Sequence, residues 1–170
     1  MSGLQATTIQ QQCKLLRMPG VVLKQFTARD AISRWDVLEA HARATSRVAA
    51  QFPETLLSRM PFPVRALQVD GGSEFAAAFE DACQQRGLKL FVLPPRSPRL
   101  NGAVEHAQRT HTEEFYEITP SSFQIALLNQ ELRTWGQTYI TVRPHQALGY
   151  RTPQEFLTQR APQSQLKERH

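Results

Sequence analysis

No Asp or Glu precedes Asp30 in this chain, although 15 acidic residues occur among its 170. Whatever the opening 29 residues do, they supply no carboxylate to it. Cysteine is almost as scarce: only Cys13 and Cys83 are present, far apart and outside any C-x-x-C spacing. That argues against a disulfide scaffold and against a structural zinc site, and suits Cys83 to the role of a small buried hydrophobe. No run approaches 18 apolar residues, and the N-terminus lacks the apolar stretch of a signal peptide, so no membrane partner is expected and the default compartment is the cytoplasm. No internal repeat is visible.

What is present describes one globular domain. A chain of this length can bury a sizeable core, and 41% apolar with 21% charged residues sets it apart from disordered sequences. The formal charge is +5 with a pI near 9.7, which permits a polyanion partner and equally suits an ordinary basic protein.

The pattern of elements points to an α/β fold. Residues 1–18 show no clear strand period, whereas "VVLKQFTA" (21–28) and "ISRWDVLE" (32–39) read as two strands of a hairpin around a turn at "RDA". A helical stretch over about 42–58, interrupted near Pro53, leads to a strand in "FPVRALQVD". Phe75, Phe79, Ala82 and Cys83 then recur at helical spacing, and Gly87 sits where a C-cap glycine belongs. After the strand "LKLFVLP" (88–94), the basic loop "PPRSPRLNG" holds three prolines and can be neither helix nor inner strand. Asn101 suits the N-cap of a helix over 102–118, with Val104, Ala107, His111, Phe115 and Ile118 as its buried stripe. Arg109, Thr112 and Tyr116 would lie on its exposed side. Further helices are expected over 121–139 and after Thr152-Pro153.

One constellation carries chemistry. In a βαβ unit, sites gather at the carboxyl ends of the strands, where Asp70 stands. Glu105, in the first turn of the helix after Asn101, can point back toward it. Two such carboxylates repel unless one is protonated or a cation intervenes. Hard oxygen ligands suit Mg²⁺ or Mn²⁺, and a rim of Arg96, Arg99 and Arg109 would favour a nucleic-acid backbone. Each part also has a plainer reading. An Asp before two glycines forms turns, a first-turn Glu favours the helix dipole, and an Arg-rich loop is often merely solvated.

The segments "VDGGSEF", "PPRSPRLNGAVEHAQRT" and "VRPHQALGYRTPQEF", with Asp70 and Glu105 35 residues apart, resemble the catalytic core shared by insertion-sequence transposases and retroviral integrases, the DDE superfamily. The resemblance covers about residues 20–157. It implies a ribonuclease-H-like α/β fold, a mixed sheet flanked by helices, and an Asp…Asp…Glu triad that binds two divalent metals (Mg²⁺ or Mn²⁺) for DNA cleavage and strand transfer. Carried over by position, Asp70 resembles the second acid and Glu105 the third, both catalytic residues and metal ligands. Arg96, Arg99, Asn101 and Arg109 fall on the side that would meet DNA. Arg143, Pro144 and His145 match a tail signature read as structural packing with DNA contact. DNA and further copies of the chain are the implied partners.

The first acid is not found. Its expected place falls in "TIQQQCKLLRM", and Asp30 and Asp36 match turn and strand positions instead. Gly71, His106 and Ile140 also depart from the family's usual residues. These departures set three expectations: a degenerate or non-homologous segment over 1–19 with the first strand missing or degenerate, a core over 20–157, and a polar tail over 158–170. The upstream helix-turn-helix region usual for such transposases has no counterpart here, so the chain is expected to be a partial copy with impaired catalysis. A non-catalytic DNA-binding or oligomerising remnant is the alternative, and an unrelated α/β protein the third reading.

Overall fold

The computed structural model describes residues 8–95, 98–118, 120 and 122–160, without the side chains of 98 and 99. At the middle of its sheet lies the segment that reads least like a strand. Strand β1 spans Thr8–Met18 and turns through Pro19-Gly20, with Gly20 at φ +74°, into β2 (Val21–Arg29). β3 is Asp36–His41, β4 Ala66–Val69 and β5 Lys89–Val92, in the order β3-β2-β1-β4-β5. The β1–β2 and β2–β3 pairs are antiparallel, while β1–β4 and β4–β5 are parallel. The opening strand is therefore present; what it lacks is an acid. The glutamine run Gln10–Gln12 disguises it, because consecutive identical polar residues erase the period-2 contrast.

Helices cover both faces. Ile9, Phe26, Ala28, Val37, Leu67 and Val69 form one apolar face, packed by α1 (Ser46–Ala49), α2 (Phe52–Arg59) and α3 (Ala78–Gln85). α3 ends as expected at Gly87, φ +68°, with Gly87 N–H donating to the Gln84 carbonyl and Leu88 N–H to that of Cys83. On the other face, Leu16, Leu23, Leu38 and Ala40 meet Phe115, Tyr116, Leu128 and Leu132 from α4 (Gly102–His111) and α5 (Ile125–Thr141). Asn129 on α5 closes the outer edge of β3, donating to the Ala40 carbonyl and accepting its N–H. α6 (Pro153–Arg160) opens on a reciprocal cap between Thr152 and Glu155, so residues 158–160 of the expected tail are helical; residues 161–170 lie outside the described residues. Among the described residues no helix is long and apolar enough to cross a membrane.

Two sequence expectations change. The second hairpin strand starts at Asp36 rather than Ile32, because the Asp30 carboxylate accepts from Ser33 N–H and Oγ–H and lengthens the turn, with Arg34 left-handed at φ +62°. The helix after Asn101 also changes pitch. Over Thr112–Tyr116 it is π-helical, with Glu117 N–H donating to the Thr112 carbonyl five residues back. The extra residue in that turn rotates Tyr116 into the core and leaves Ile118 77% exposed, although Val104, Ala107, His111 and Phe115 are buried as the periodicity implies.

Between the sheet and α4–α5 runs a buried polar network. Arg29 grips Asp36 with two bonds of 2.6 and 2.8 Å and donates to the Tyr139 hydroxyl at 2.5 Å. His111 Nε2 lies 3.1 Å from Asp36, and its Nδ1 lies 3.1 Å from Gln25 Nε2, a donor. With Nδ1 facing a donor, Nε2 is the ring nitrogen that donates to Asp36. Burial opposes the charge of Asp36, yet the adjacent Arg29 guanidinium and His111 hold its carboxyl well below the usual range.

Asp36→Ala would strand a buried guanidinium, at a cost of about 3–5 kcal/mol near neutral pH. A urea titration should show the midpoint fall with little change in slope. Because the folded carboxyl ionises below its unfolded value, this stabilisation is complete above roughly pH 4 and fades as pH drops further. Wild type and variant should accordingly converge in acid; a gap that stays constant into acid would contradict the account.

Candidate active site and its surroundings

Helix α4 begins over the sheet because β1 holds its first turn. The Gln10 side-chain oxygen accepts from the N–H groups of Ala103 (3.1 Å) and Val104 (3.2 Å). These are donors that a helix cannot satisfy internally. Asn101 occupies the N-cap position, as expected, but its side chain makes no capping bond. It is buried, with both amide atoms unpartnered, and the capping duty passes to a strand residue 93 positions before Ala103. No local signal marks Gln10 for that role; the pairing depends on where β1 lies.

Alternation along β1 then places the next side chain. Gln10 faces α4, so Gln12 does too, and Ile9, Gln11 and Cys13 face α1–α3. The parallel register ends by pairing Gln10 with Gln68; continued two residues along both chains, it would set Gln12 beside Asp70. Gln68 shares the α4 face, donating to the Leu100 carbonyl. Asp70 stands one residue past β4, half-buried, with Oδ1 accepting from Gly72 N–H at 3.0 Å. It is thus a turn residue and a strand-end carboxylate at once, and the two sequence readings are compatible.

Glu105 lies in the first turn of α4, exposed, and makes no hydrogen bond or ion pair among the described residues. Arg109 is exposed one turn further on. Arg96 lies outside the described residues; Arg99 belongs to a short 3-10 turn (Pro98–Asn101), and its side chain also lies outside.

A third carboxylate stands near Asp70. Gly72 leaves room for Glu74, whose carboxylate would come within 2.7 Å of a Cβ placed there. Burial pushes the Cys13 thiol up to about 12, helped by the charges of Glu74 and then Asp70. Glu74 belonged to the "VDGGSEF" segment, but nothing in its spacing marked it as a neighbour of β1.

The donors present do not fit a pair of divalent ions. Asp70 and Glu105 are hard oxygen ligands of the right kind for Mg²⁺ or Mn²⁺. The position beside Asp70 on β1 holds a neutral amide, and among the described residues no three His, Cys, Asp or Glu side chains are grouped to hold a metal.

On the far side of α4 is a second concavity, a cleft of about 460 Å³ between the β2–β3 turn and the segment after α5. Arg29, Arg34, Arg143 and His145 line it, with His106 from α4 at the rim. Arg143 pairs with Glu114 at 2.5 Å and lies over the Tyr139 ring, and His145 packs edge-on against Tyr139. Burial and then the charge of Arg143 pull the His145 imidazole down to about 4, so it is neutral at pH 7.

Residues 86–153 match the family described as Integrase core domain, a span that includes Glu105 and the tail residues Arg143, Pro144 and His145. The chain is 31% identical over 99 residues to transposase InsD of insertion element IS2A/D/F/H/I/K from Escherichia coli, covering 58% of this chain and 33% of that one. The InsD protein of insertion element IS2E (E. coli strain K12) matches at the same identity, with 45% of its length covered. The chain thus spans less than half the length of these relatives. Among solved structures, the catalytic core domain of BIV integrase aligns with TM-score 0.70 at 19% identity, over 91% of this chain and 95% of that chain. A chain in the simian T-cell lymphotropic virus intasome structure, in complex with PP2A regulatory subunit B56 gamma, aligns with TM-score 0.76 at 15% identity, over 97% of this chain and 58% of that one. These likenesses establish the ribonuclease-H-like fold.

Gln10→Ala should remove the cap from α4 and lower stability by about 1 kcal/mol, whereas Gln10→Glu should keep it, its charge favoured by the helix dipole. Chemical denaturation of the pair reads this directly. Equal losses in both variants would mean that Gln10 does not cap the helix.

Proposed function

We propose that this chain, a transposase/integrase core of the DDE type, handles DNA with an incomplete catalytic centre: Asp70 and Glu105 are its retained acids, and Gln12 stands where the first should be. The observation that carries the reading is the alignment of β1, β4 and α4. Gln12, Asp70 and Glu105 come from the three elements that would contribute a triad, and the β1 contribution is an amide. An amide oxygen can ligate a cation but brings no charge to offset a second one, so divalent ions are held weakly if at all. Cleavage and strand transfer are impaired as a consequence.

DNA contact does not depend on that loss. Arg109 on the exposed side of α4, and Arg96 and Arg99 in the basic loop, supply the cations that hold a phosphate backbone, and Asn101 shapes the turn beneath them. The DNA is that of an insertion element's ends and target, the working form is a homo-oligomer, and the compartment is the cytoplasm. The alternative, a DNA-binding remnant with no chemistry to restore, differs in one testable respect.

Restoring the acid separates the two. Nicking of supercoiled plasmid in Mn²⁺ should be near background for the natural chain and rise with Gln12→Asp. The gain should exceed the ~100-fold that marks the loss of a residue merely supporting a metal ligand. Adding Asp70→Asn or Glu105→Gln to Gln12→Asp should abolish it. A folded Gln12→Asp protein that still cuts nothing would leave the remnant reading in place; cutting by the natural chain that survives both acid substitutions would sink the site assignment.

A further inference from the structure

The cleft beyond α4 is built for an anion, and the reading of this chain as a DNA-handling core identifies which. We infer that Arg29, Arg34, Arg143 and His145 form a seat for a backbone phosphate of duplex DNA, separate from the Asp70–Glu105 region. The inference rests on the reading above for its ligand and on geometry for its place.

Three observations carry it. First, no carboxylate lines the cleft among the described residues. The Asp36 carboxylate lies behind Arg29 in the buried network, and Glu114 engages Arg143 from a half-exposed pair, so the half-buried Arg34 and Arg143 meet the cleft with the buried charge of Arg29 behind them. Second, Arg34 holds a left-handed backbone conformation at φ +62°, which is costly for a residue with a long side chain and suits glycine. The strain is imposed by the Asp30–Ser33 turn, whose bonds leave Arg34 lining the cleft without an ion pair among the described residues. Third, His145, a residue of the cleft lining, carries a buried Nε2 with no hydrogen-bond partner. A phosphate oxygen would meet the Arg34 guanidinium directly and would satisfy His145 Nε2 on a turn of the imidazole toward the cleft.

Arg29 gives the seat its rigidity. Clamped by two bonds to Asp36 and one to Tyr139 and out of solvent, its guanidinium holds Tyr139, and through the ring Arg143 and His145, at a fixed place behind the cleft. The strand registers also set its distance from the acids. Arg29 pairs with Gln10, which pairs with Gln68, two residues before Asp70. Two strand spacings and two residues separate Arg29 from Asp70, on the order of 12 Å by backbone. That is within the width of a DNA duplex, so one bound helix can meet both regions.

The test is duplex-DNA binding by the full chain, read by fluorescence anisotropy across a salt series in EDTA. Without metal, the result does not depend on whether Gln12→Asp restores cutting. Arg34→Gly suits the backbone at that position and should fold at least as well as the natural chain. It should weaken binding uniformly across unrelated duplexes and lower the slope of log K against log salt by about one, with Arg34→Gly/Arg143→Gln lowering it by about two. Lys89→Gln, on the edge strand β5 at the other end of the sheet, removes the same charge and should leave the slope unchanged. The inference fails if the Arg34→Gly titration overlays that of the natural chain, or if Lys89→Gln weakens binding as much. A natural chain that binds no duplex at all would overturn it along with the DNA-handling reading, whereas normal binding by Arg34→Gly would overturn the seat alone.

Discussion

The buried pairing of Arg29 with Asp36 is the constraint around which the rest is arranged. Both side chains lie on the α4–α5 face of the sheet and are almost wholly out of solvent. A lone charge there would be prohibitive, so each must have the other, and each recruits further partners to fill its remaining bonding capacity. Tyr139 reaches in from α5 and His111 from the end of α4. Gln25 then joins His111 to Tyr116, beyond the pitch change. Two helices and two strands are thereby tied at defined points, where apolar contact alone would allow them to slide. The π turn at Thr112–Tyr116 belongs to the same arrangement, since it swings Tyr116 inward to reach Gln25.

Glutamine occupies three successive positions of β1, and the consequences differ along the strand. Gln10 found structural work at the head of α4. Gln12 faces the same helix beside Asp70 and contributes only a neutral oxygen. Gln11, on the opposite face, is fully buried with neither amide atom hydrogen-bonded, an energetic loss that nothing in its surroundings offsets. Asn101 likewise has an orphaned amide at the turn into α4. The scaffold thus tolerates several unsatisfied amides near the place where a tightly packed catalytic centre would have none.

The chain separates what it needs for folding from what it would need for reaction. The apolar layer under α1–α3 and the polar tie under α4–α5 are complete. The region around Asp70 and Glu105 carries few bonds: Asp70 has the Gly72 N–H, and Glu105 has none among the described residues. Having an amide rather than an acid at this place on β1 therefore costs the fold little, because a strand-end carboxylate beside another is a source of repulsion unless a cation is present. An amide in its place relieves that repulsion. Chemistry and stability pull apart at this position.

Local chemistry in the sequence determined much of the architecture. The strand and helix periodicities around β2, α3 and β5, the Gly87 stop, the helix start after Thr152-Pro153 and the carboxylate after β4 were all legible, because each depends on residues within one or two turns. So was the absence of an acid before Asp30. Only the tertiary structure decided that β1 exists and where Gln12 sits, since three identical polar residues carry no period and register comes from pairing with distant strands. It alone brought Gln10 to α4, rotated Tyr116 inward and Ile118 outward, and gathered Arg29, Arg34 and Arg143 around one cleft. Those three arginines are scattered along the sequence and share no local pattern; they meet because Asp36 anchors one, a turn strains the second outward, and the end of α5 delivers the third.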